Sequence, residues 1–238
     1  MNVNLRRYLL FRPHLLGILL NPVYLCNRRI YHNIKRLAPS FTGRLLDFGC
    51  GSKPYKELFA NVSEYVGLDY ENPGHSHKEE VIDVYYNGKD IPFPSGHFDC
   101  LLSTEVLEHV ADVDFTLNEW HRVLKPKGRL LMTLPFMYCE HEIPHDYRRY
   151  TATGVEKVLT EHGFHCCEVT KMGTPIEATS LLNICYIEQM FPFQSTVLRI
   201  LRNLLLIAPI NIWALTFGAL LPKHTTHYRG VLVVAEKQ

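Results

Sequence analysis

No acidic residue precedes Ser40, although Arg6, Arg7, Arg12, Arg28, Arg29, Lys35 and Arg36 all fall in that stretch. The chain as a whole lacks an excess of either charge: 25 Lys and Arg oppose 24 Asp and Glu, a formal net of +1. Near-neutrality excludes the bulk electrostatic attraction that nucleic-acid binders rely on. The one-signed leader suits an anionic membrane surface or phosphate groups, or else a solvated helix face. No C-x-x-C spacing occurs among the 7 cysteines. An odd number, mostly inside apolar runs, reads as reduced core residues of a cytosolic protein. Adjacent Cys166 and Cys167 would point to opposite faces of a strand, which excludes a bridge between them. No small-x-small cleavage site follows the apolar "YLLFRPHLLGILL", which Arg12, Pro13 and His14 interrupt. The segment therefore reads as a retained amphipathic helix. Repeats and low-complexity tracts are absent, and with 47% hydrophobic and 21% charged residues in 238 the chain can bury one substantial core.

What is there, from Gly43 onward, is alternation. "RLLDFG" predicts a short buried strand, "SKPYKELFA" the start of a helix, "EYVGLDY" a second strand and "EEVIDVYY" a weaker third. "CLLST" predicts a fourth strand, leading into "EVLEHV". Val113, Leu117, Trp120 and Leu124 then share one helix face, with Gly128 as the expected C′ residue. "RLLMTLPF" predicts a fifth strand. A helix follows, with Thr153 as N-cap, Glu156 completing a capping box and Gly163 closing it. "HCCEVTKM" and "GVLVVAEK" predict two last strands. Short apolar strands alternating with amphipathic helices imply an α/β fold with a mostly parallel sheet covered on both faces.

The expected organisation is a basic helical extension over 1–40, a sheet domain over 41–178 and 228–238, and a hydrophobic helical insertion over 179–227. Leu204 to Leu221 carries no charge and approaches the roughly 20 residues that span a bilayer. Pro209, Asn211, Thr216 and Gly218 interrupt it, and a crossing would part the last strand from its sheet. A helical hairpin lying in the membrane interface or packed on the domain is the favoured expectation, with ordinary core or a dimer surface as the alternative.

"LLDFGCGSKP" raises the functional question. In a doubly wound sheet, ligands sit beyond the strand C-termini at the switch point. Gly49 and Gly51 lie there, where a missing β-carbon lets a ligand approach backbone. Asp69 ends the second strand eighteen positions after Gly51, suitably placed for a ribose diol. Turn, helix start and acid describe a site for an adenosine-containing cofactor. A dinucleotide fingerprint needs a third glycine where Pro54 stands, which disfavours a nicotinamide oxidoreductase.

With Asp47 two residues before G-x-G, the chain resembles a class I (Rossmann-like) S-adenosylmethionine-dependent methyltransferase. "LLDFGCG", "VGLDY", "IPFPSGHFDCLLSTEVLEHV" and "RVLKPKGRLLMTLPF" occur in that family's order, across Leu45 to Phe164. The resemblance implies a doubly wound seven-stranded sheet whose last strand is antiparallel, and S-adenosyl-L-methionine as cofactor. It implies that Asp47, Gly49, Cys50 and Gly51 form the loop around the methionine moiety and that Asp69, with Tyr70, meets the ribose. Asp83 and Val84 would flank the adenine, with Asp90 competing because the following gap is long. Thr104 and Glu105 would lie under the methionine end. Two local alternatives remain, Asp47 as a brace for the turn and Glu105 as a helix-start residue. Asp99 reads as a cap at the start of its strand.

The cofactor carries the hard chemistry, so a general base is needed only for a hydroxyl or a protonated amine. His109 and His145 are the candidates. Similar enzymes carry a run like "PHDYRRYT" after strand five, which implies an acceptor site at His141, Asp146, Arg148 and Arg149, an arginine pairing with a carboxylate or phosphate. The alternative there is an internal Asp146–Arg149 pair. Glu140, His141, Glu142, His145 and Asp146 offer metal ligands in number, but on a loop, and no metal is expected. The expected partner is a small-molecule, lipid-linked or glycan acceptor, with peripheral membrane contact on the inner face and pairing of two chains through the insertion. Nucleic acid is not expected, since the acidic-Pro-Pro-aromatic tetrapeptide of base methylation is missing. The competing reading is a non-catalytic cofactor- or partner-binding module of the same fold.

Overall fold

The computed structural model describes residues 9–70, 82–221 and 226–238. Arg6, Arg7 and the expected beginning of the third strand at 79–81 lie outside them. Seven strands form one sheet: β1 (Gly43–Phe48), β2 (Val62–Tyr70), β3 (Val84–Tyr86), β4 (Phe98–Thr104), β5 (Leu124–Pro135), β6 (Phe164–Met172) and β7 (Gly230–Lys237). Their order is β3-β2-β1-β4-β5-β7-β6, with β1 to β5 parallel and the last strand antiparallel. The order reverses between β1 and β4, which places the switch point at the C-terminal end of β1. Leu45 to Phe48, Cys100 to Ser103, Leu130 to Pro135 and Gly230 to Ala235 are continuously buried rather than alternately so. Strands covered on both faces show that pattern.

The helices are α1 (Leu15–Leu20), α2 (Tyr24–Leu37), α3 (Val113–Val123), α4 (Ala152–Glu161), α5 (Pro175–Met190), α6 (Thr196–Arg202) and α7 (Ala208–Leu220). A π turn at Asn203–Ile207 joins α6 to α7. The N-terminal segment is thus divided, with α1 and α2 parted at Asn21 to Val23. The chain forms two compact units, one of Met1–Asn33, Phe136–Glu140 and Lys171–Gly230, the other of Ile34–Pro135, His141–Thr170 and Val231–Gln238. Residue 179, where the insertion is expected to begin, lies inside α5. No disulfide occurs among the described residues, which include every cysteine.

Three local expectations are corrected. After β1 there is no α-helix, only a 3-10 turn at Lys56–Leu58. Lys53 is left-handed (φ 51°) and Pro54 has no N–H to donate, so the chain does not enter the helical ladder. Gly128 does not close α3, which ends at Val123 with Leu124 already extended. It sits within β5, where Phe98 pairs with Leu124 but Cys100 with Arg129, so residues 125–128 bulge outward. A β-carbon at Gly128 would lie 2.8 Å from the Lys125 carbonyl oxygen, which explains the glycine. Thr153 is not the N-cap of α4. Thr151 is, its hydroxyl accepting from the Gly154 amide at 3.0 Å, while Gly163 closes that helix with φ 78°.

In the unit containing the sheet, α3 buries Val113, Thr116, Leu117, Glu119, Trp120 and Val123 at spacings of three and four. Trp120 is wholly buried and meets the Phe48 ring edge-on at 5.2 Å. The helical unit is organised by polar groups. Thr174 and Glu177 form a capping box at the start of α5, and Arg29 grips the buried Glu177 carboxylate with contacts of 2.8 to 3.1 Å.

Thr151→Ala should destabilise the protein by about 1 kcal/mol in urea unfolding, the usual cost of a lost N-cap. Thr153→Ala should stay within about 0.5 kcal/mol of the parent. Equal losses for the two variants would contradict the capping assignment.

Candidate functional site

At the end of β1 the backbone folds back onto β2. The Gly49 and Cys50 amides both donate to the Leu68 carbonyl, at 2.9 and 3.1 Å. Gly49 (φ 71°) and Gly51 (φ 46°) are left-handed. A β-carbon on Gly49 would come within 2.5 Å of Val106 on the loop after β4. The Gly51 amide donates to Asp69 at 2.6 Å, and the Tyr70 amide donates to the other carboxylate oxygen at 2.7 Å. Asp69 therefore couples the turn to the end of β2.

A second clamp, not foreseen from sequence, lies below it. The buried Lys53 reaches across Gly67 to Asp83 at 2.6 Å, and the Gly67 amide donates to the same Asp83 oxygen at 2.7 Å. Any side chain at Gly67 would meet the Lys53 stem, with 2.1 Å between Cβ and Cε. Burial opposes the charge on Asp83, yet the Gly67 amide and Lys53 hold its carboxyl below the ordinary value. Asp83 thus braces β2 rather than standing apart at its edge, and Val84 pairs with Leu68 beside it. The faint signal was Lys53 and Gly67 in motifs read for their other residues.

Asp47 is 3% exposed and accepts from the Tyr65 hydroxyl at 2.6 Å. Burial pushes its carboxyl up to about 7, against the pull of that hydroxyl, with Asp69 reinforcing the rise. Tyr65 was also missed, because it precedes the motif it serves. Cys50 is buried, its thiol raised by desolvation, so it is no nucleophile. Thr104 ends β4 opposite Thr133. Glu105 is left-handed (φ 55°) and its amide donates to the Thr133 carbonyl at 3.0 Å, so the chain turns sharply beside the Gly49 bend. A non-glycine residue in that region is a strain concentrated at functional sites. Asp99 accepts from the Arg44 amide and pairs with Lys125, as its reading at the start of β4 implies.

Beyond β4 and β5 a second cluster forms. His109 lies in a 3-10 turn, Leu107–His109. Its Nε2 is 3.1 Å from His141 Nε2, and its Nδ1 is 2.9 Å from the His145 carbonyl oxygen. Asp146, buried, accepts from the His141 amide at 3.0 Å and from Arg149 twice, at 2.5 and 2.6 Å. The Arg149 bonds hold the Asp146 carboxyl well below its usual range, although burial opposes this. Arg148 donates to the Val110 and Ala111 carbonyls. Arg148 thus ties its loop to the one after β4, and the Asp146–Arg149 pair is present. The His145 ring turns to the Tyr147 hydroxyl at 3.0 Å. Glu140 and Glu142 are exposed.

A carboxyl whose folded pKa lies above its unfolded value stabilises most below the unfolded value, near 4, and that contribution is lost as pH rises towards about 7. The loss amounts to about 1.4 kcal/mol per pH unit across that window. Asp47→Asn, which cannot ionise, should therefore gain thermal stability relative to the parent between pH 5 and pH 8. A melting-temperature difference that stays constant over that range would contradict the buried, proton-holding state of Asp47.

Known proteins place this geometry. The family model described as "Methyltransferase domain" matches residues 46–132. A probable S-adenosylmethionine-dependent methyltransferase of Mycolicibacterium smegmatis is 33% identical over 107 residues, 42% of each chain. The ubiquinone/menaquinone biosynthesis C-methyltransferase UbiE of Vibrio cholerae is 30% identical over 122 residues, 49% of this chain and 42% of that one. The chain thus spans less than half the length of these curated relatives. Among solved structures, an S-adenosylmethionine-dependent methyltransferase from Mesorhizobium loti has a TM-score of 0.54 at 15% identity, covering 90% of this chain and 100% of its own, a likeness of fold. Bare-backbone turn, acid at the end of β2 and strand order belong together: residues 46–132 match the methyltransferase-domain model, and the fold is that of the class I, Rossmann-like, S-adenosylmethionine-dependent methyltransferases.

Proposed function

We propose that the protein transfers a methyl group from S-adenosylmethionine to a small lipid-linked acceptor while its helical unit rests on the inner, cytoplasmic face of a membrane. The residues fit the cofactor. Gly49 and Gly51 offer a turn without side chains, and Asp69, held by the Gly51 and Tyr70 amides, stands where that turn meets the end of β2. When bound, the cofactor supplies an electrophilic methyl on a positively charged sulfur. Asp47, Gly49 and Gly51 would hold its methionine part and Asp69 its ribose, leaving the loops after β4 and β5 to orient the acceptor and exclude water.

The observation that carries the membrane part is the inverted polarity of the helix Thr196–Leu220. Its inward residues are Arg202, Asn203, Ile207, Ala208, Asn211, Ala214 and Gly218, which recur at intervals of three and four along one face. Asn203 donates to the Leu20 carbonyl and Asn211 to that of Ile18, at 2.8 and 2.9 Å. Outward stand Leu205 at 70%, Trp213 at 50% and Leu220 at 77% exposure. A helix facing water has the opposite arrangement. Leu15, Leu16, Tyr186 and Met190 of the same unit are exposed as well. Over its 25 residues the helix is long and apolar enough to cross a bilayer. Yet β6 and β7, which flank the segment, are neighbours in one sheet. A single crossing by this helix would leave them on opposite sides, so it lies in the interface. The basic leader contributes less than expected, because Arg28 and Arg29 pair with Glu177 and Arg36 with Glu168. The relative named for ubiquinone and menaquinone biosynthesis supports an acceptor of lipid character.

Two measurements check this. The chain should float with phosphatidylcholine vesicles and bind little more to anionic ones, and Trp213→Glu with Leu205→Glu should weaken binding at least about tenfold. A dimer in solution that ignores vesicles would refute the membrane reading. Radiolabelled methyl donor should label a component of a lipid extract, and Gly49→Ala should abolish the labelling together with calorimetric binding of the donor. Donor binding without label in lipid, sugar-nucleotide or small-molecule pools would leave a non-catalytic module.

A further inference from the structure

The His109–His141 pair is held from behind on both sides. His109 Nδ1 lies 2.9 Å from the His145 carbonyl oxygen, and His141 Nδ1 lies 3.2 Å from the Asp146 carboxylate. Carbonyl and carboxylate oxygens only accept, so each Nδ1 carries a proton and Nε2 is the ring atom turned towards the other histidine. Those two Nε2 atoms face one another at 3.1 Å. Glu108 Oε1, on a side chain with 0% exposure, lies 3.7 Å from His109 Nε2. Two ring nitrogens and a buried carboxylate brought this close are held by a positive charge, a proton or a metal ion.

The spacing suits a metal ion. The three donor atoms lie within 4.8 Å of one another. A tetrahedral ion with ligands at 2.0–2.3 Å sets neighbouring donor atoms about 3.3 Å apart or slightly more. A protonated Nδ1 bonded to a carbonyl or carboxylate is also the backing that metal-ligating histidines have. That backing is itself anchored. Arg149 fixes Asp146 through two bonds, and the Tyr147 amide donates to the Glu108 carbonyl at 2.9 Å, tying the two loops together.

We infer that Glu108, His109 and His141 form a binding site for a divalent transition-metal ion at the acceptor side of the domain. Two imidazoles with one carboxylate favour zinc, cobalt, manganese or iron over magnesium. Three protein ligands leave at least one position open, and the ligand class that suits it is an oxygen of the acceptor, such as a hydroxyl or phosphate. This set shares only His141 with the loop residues Glu140, His141, Glu142, His145 and Asp146 that the sequence offered. It is also exclusive of a general-base role for His109, since Nε2 cannot hold a metal and take up a proton at once.

The test needs no turnover. Chelator-stripped full-length protein is titrated with Co²⁺ while visible ligand-field absorption is recorded, and with Zn²⁺ by calorimetry. One equivalent per chain should bind. Glu108→Gln should weaken binding at least about tenfold, and the double variant His109→Ala/His141→Ala should remove the absorption band. His165→Ala, an exposed histidine on β6, should change neither. Donor binding measured in parallel reports folding, and if the double variant does not fold, the Glu108→Gln titration decides. Absence of stoichiometric binding by the parent, or binding that persists in the variants, would overturn the site. A single imidazolium proton shared between the rings, seen by NMR in the metal-saturated solution, would overturn it too.

Discussion

The sheet domain depends on one constraint: the backbone leaving β1 is pinned to β2 by groups that cannot be replaced independently. The Leu68 carbonyl takes two consecutive amides, Asp69 takes the amide of Gly51, and Lys53 crosses Gly67 to reach Asp83. Left-handed angles at Gly49, Gly51 and Lys53 follow from that geometry. The turn stays in place without an α-helix behind it, because hydrogen bonds to β2 do the holding that helical amides would otherwise do. Buried Asp47 and Tyr65 close the underside of the same turn, where the low dielectric strengthens their bond and raises the carboxyl.

The loops beyond β4 and β5 obey a similar logic on the other side of the switch point. Asp146 orients His141 and is itself oriented by Arg149; Arg148 secures the loop to the carbonyls of Val110 and Ala111. Charged side chains in an acceptor loop invite a reading as ligand binders. Here most of them satisfy one another, and Glu108, His109 and His141 come together where the loops converge. Rigid support from a neighbouring shell is what a binding constellation requires.

The helical unit solves a different problem. Its polar residues are inside, where Asn203 and Asn211 satisfy carbonyls of α1, Arg202 that of Phe191 past the end of α5, and Glu177 caps the start of α5. Gly218 lets the helix approach Thr174 within 2.9 Å of where a β-carbon would be. The residues that seem to interrupt an apolar run in the sequence are therefore its internal contacts, and the apolar remainder faces out.

Strand existence, strand type and the turn after β1 were legible from the chain alone, because each is set by residues adjacent in sequence: apolar runs, paired glycines, an acid at a strand end. Helix ends were less so. Thr151 and Thr153 are chemically alike, and only the backbone shows which one meets the Gly154 amide. Gly128 looked like a helix terminator because the bulge in β5 needs a glycine for a different reason. Register and long-range approach decided the remainder. Lys53 with Asp83, Tyr65 with Asp47, and His109 with His141 across 32 positions meet only once parallel strands align their C-terminal ends. Side-chain pairing of that kind depends on where distant segments are brought, and local preference carries no record of it.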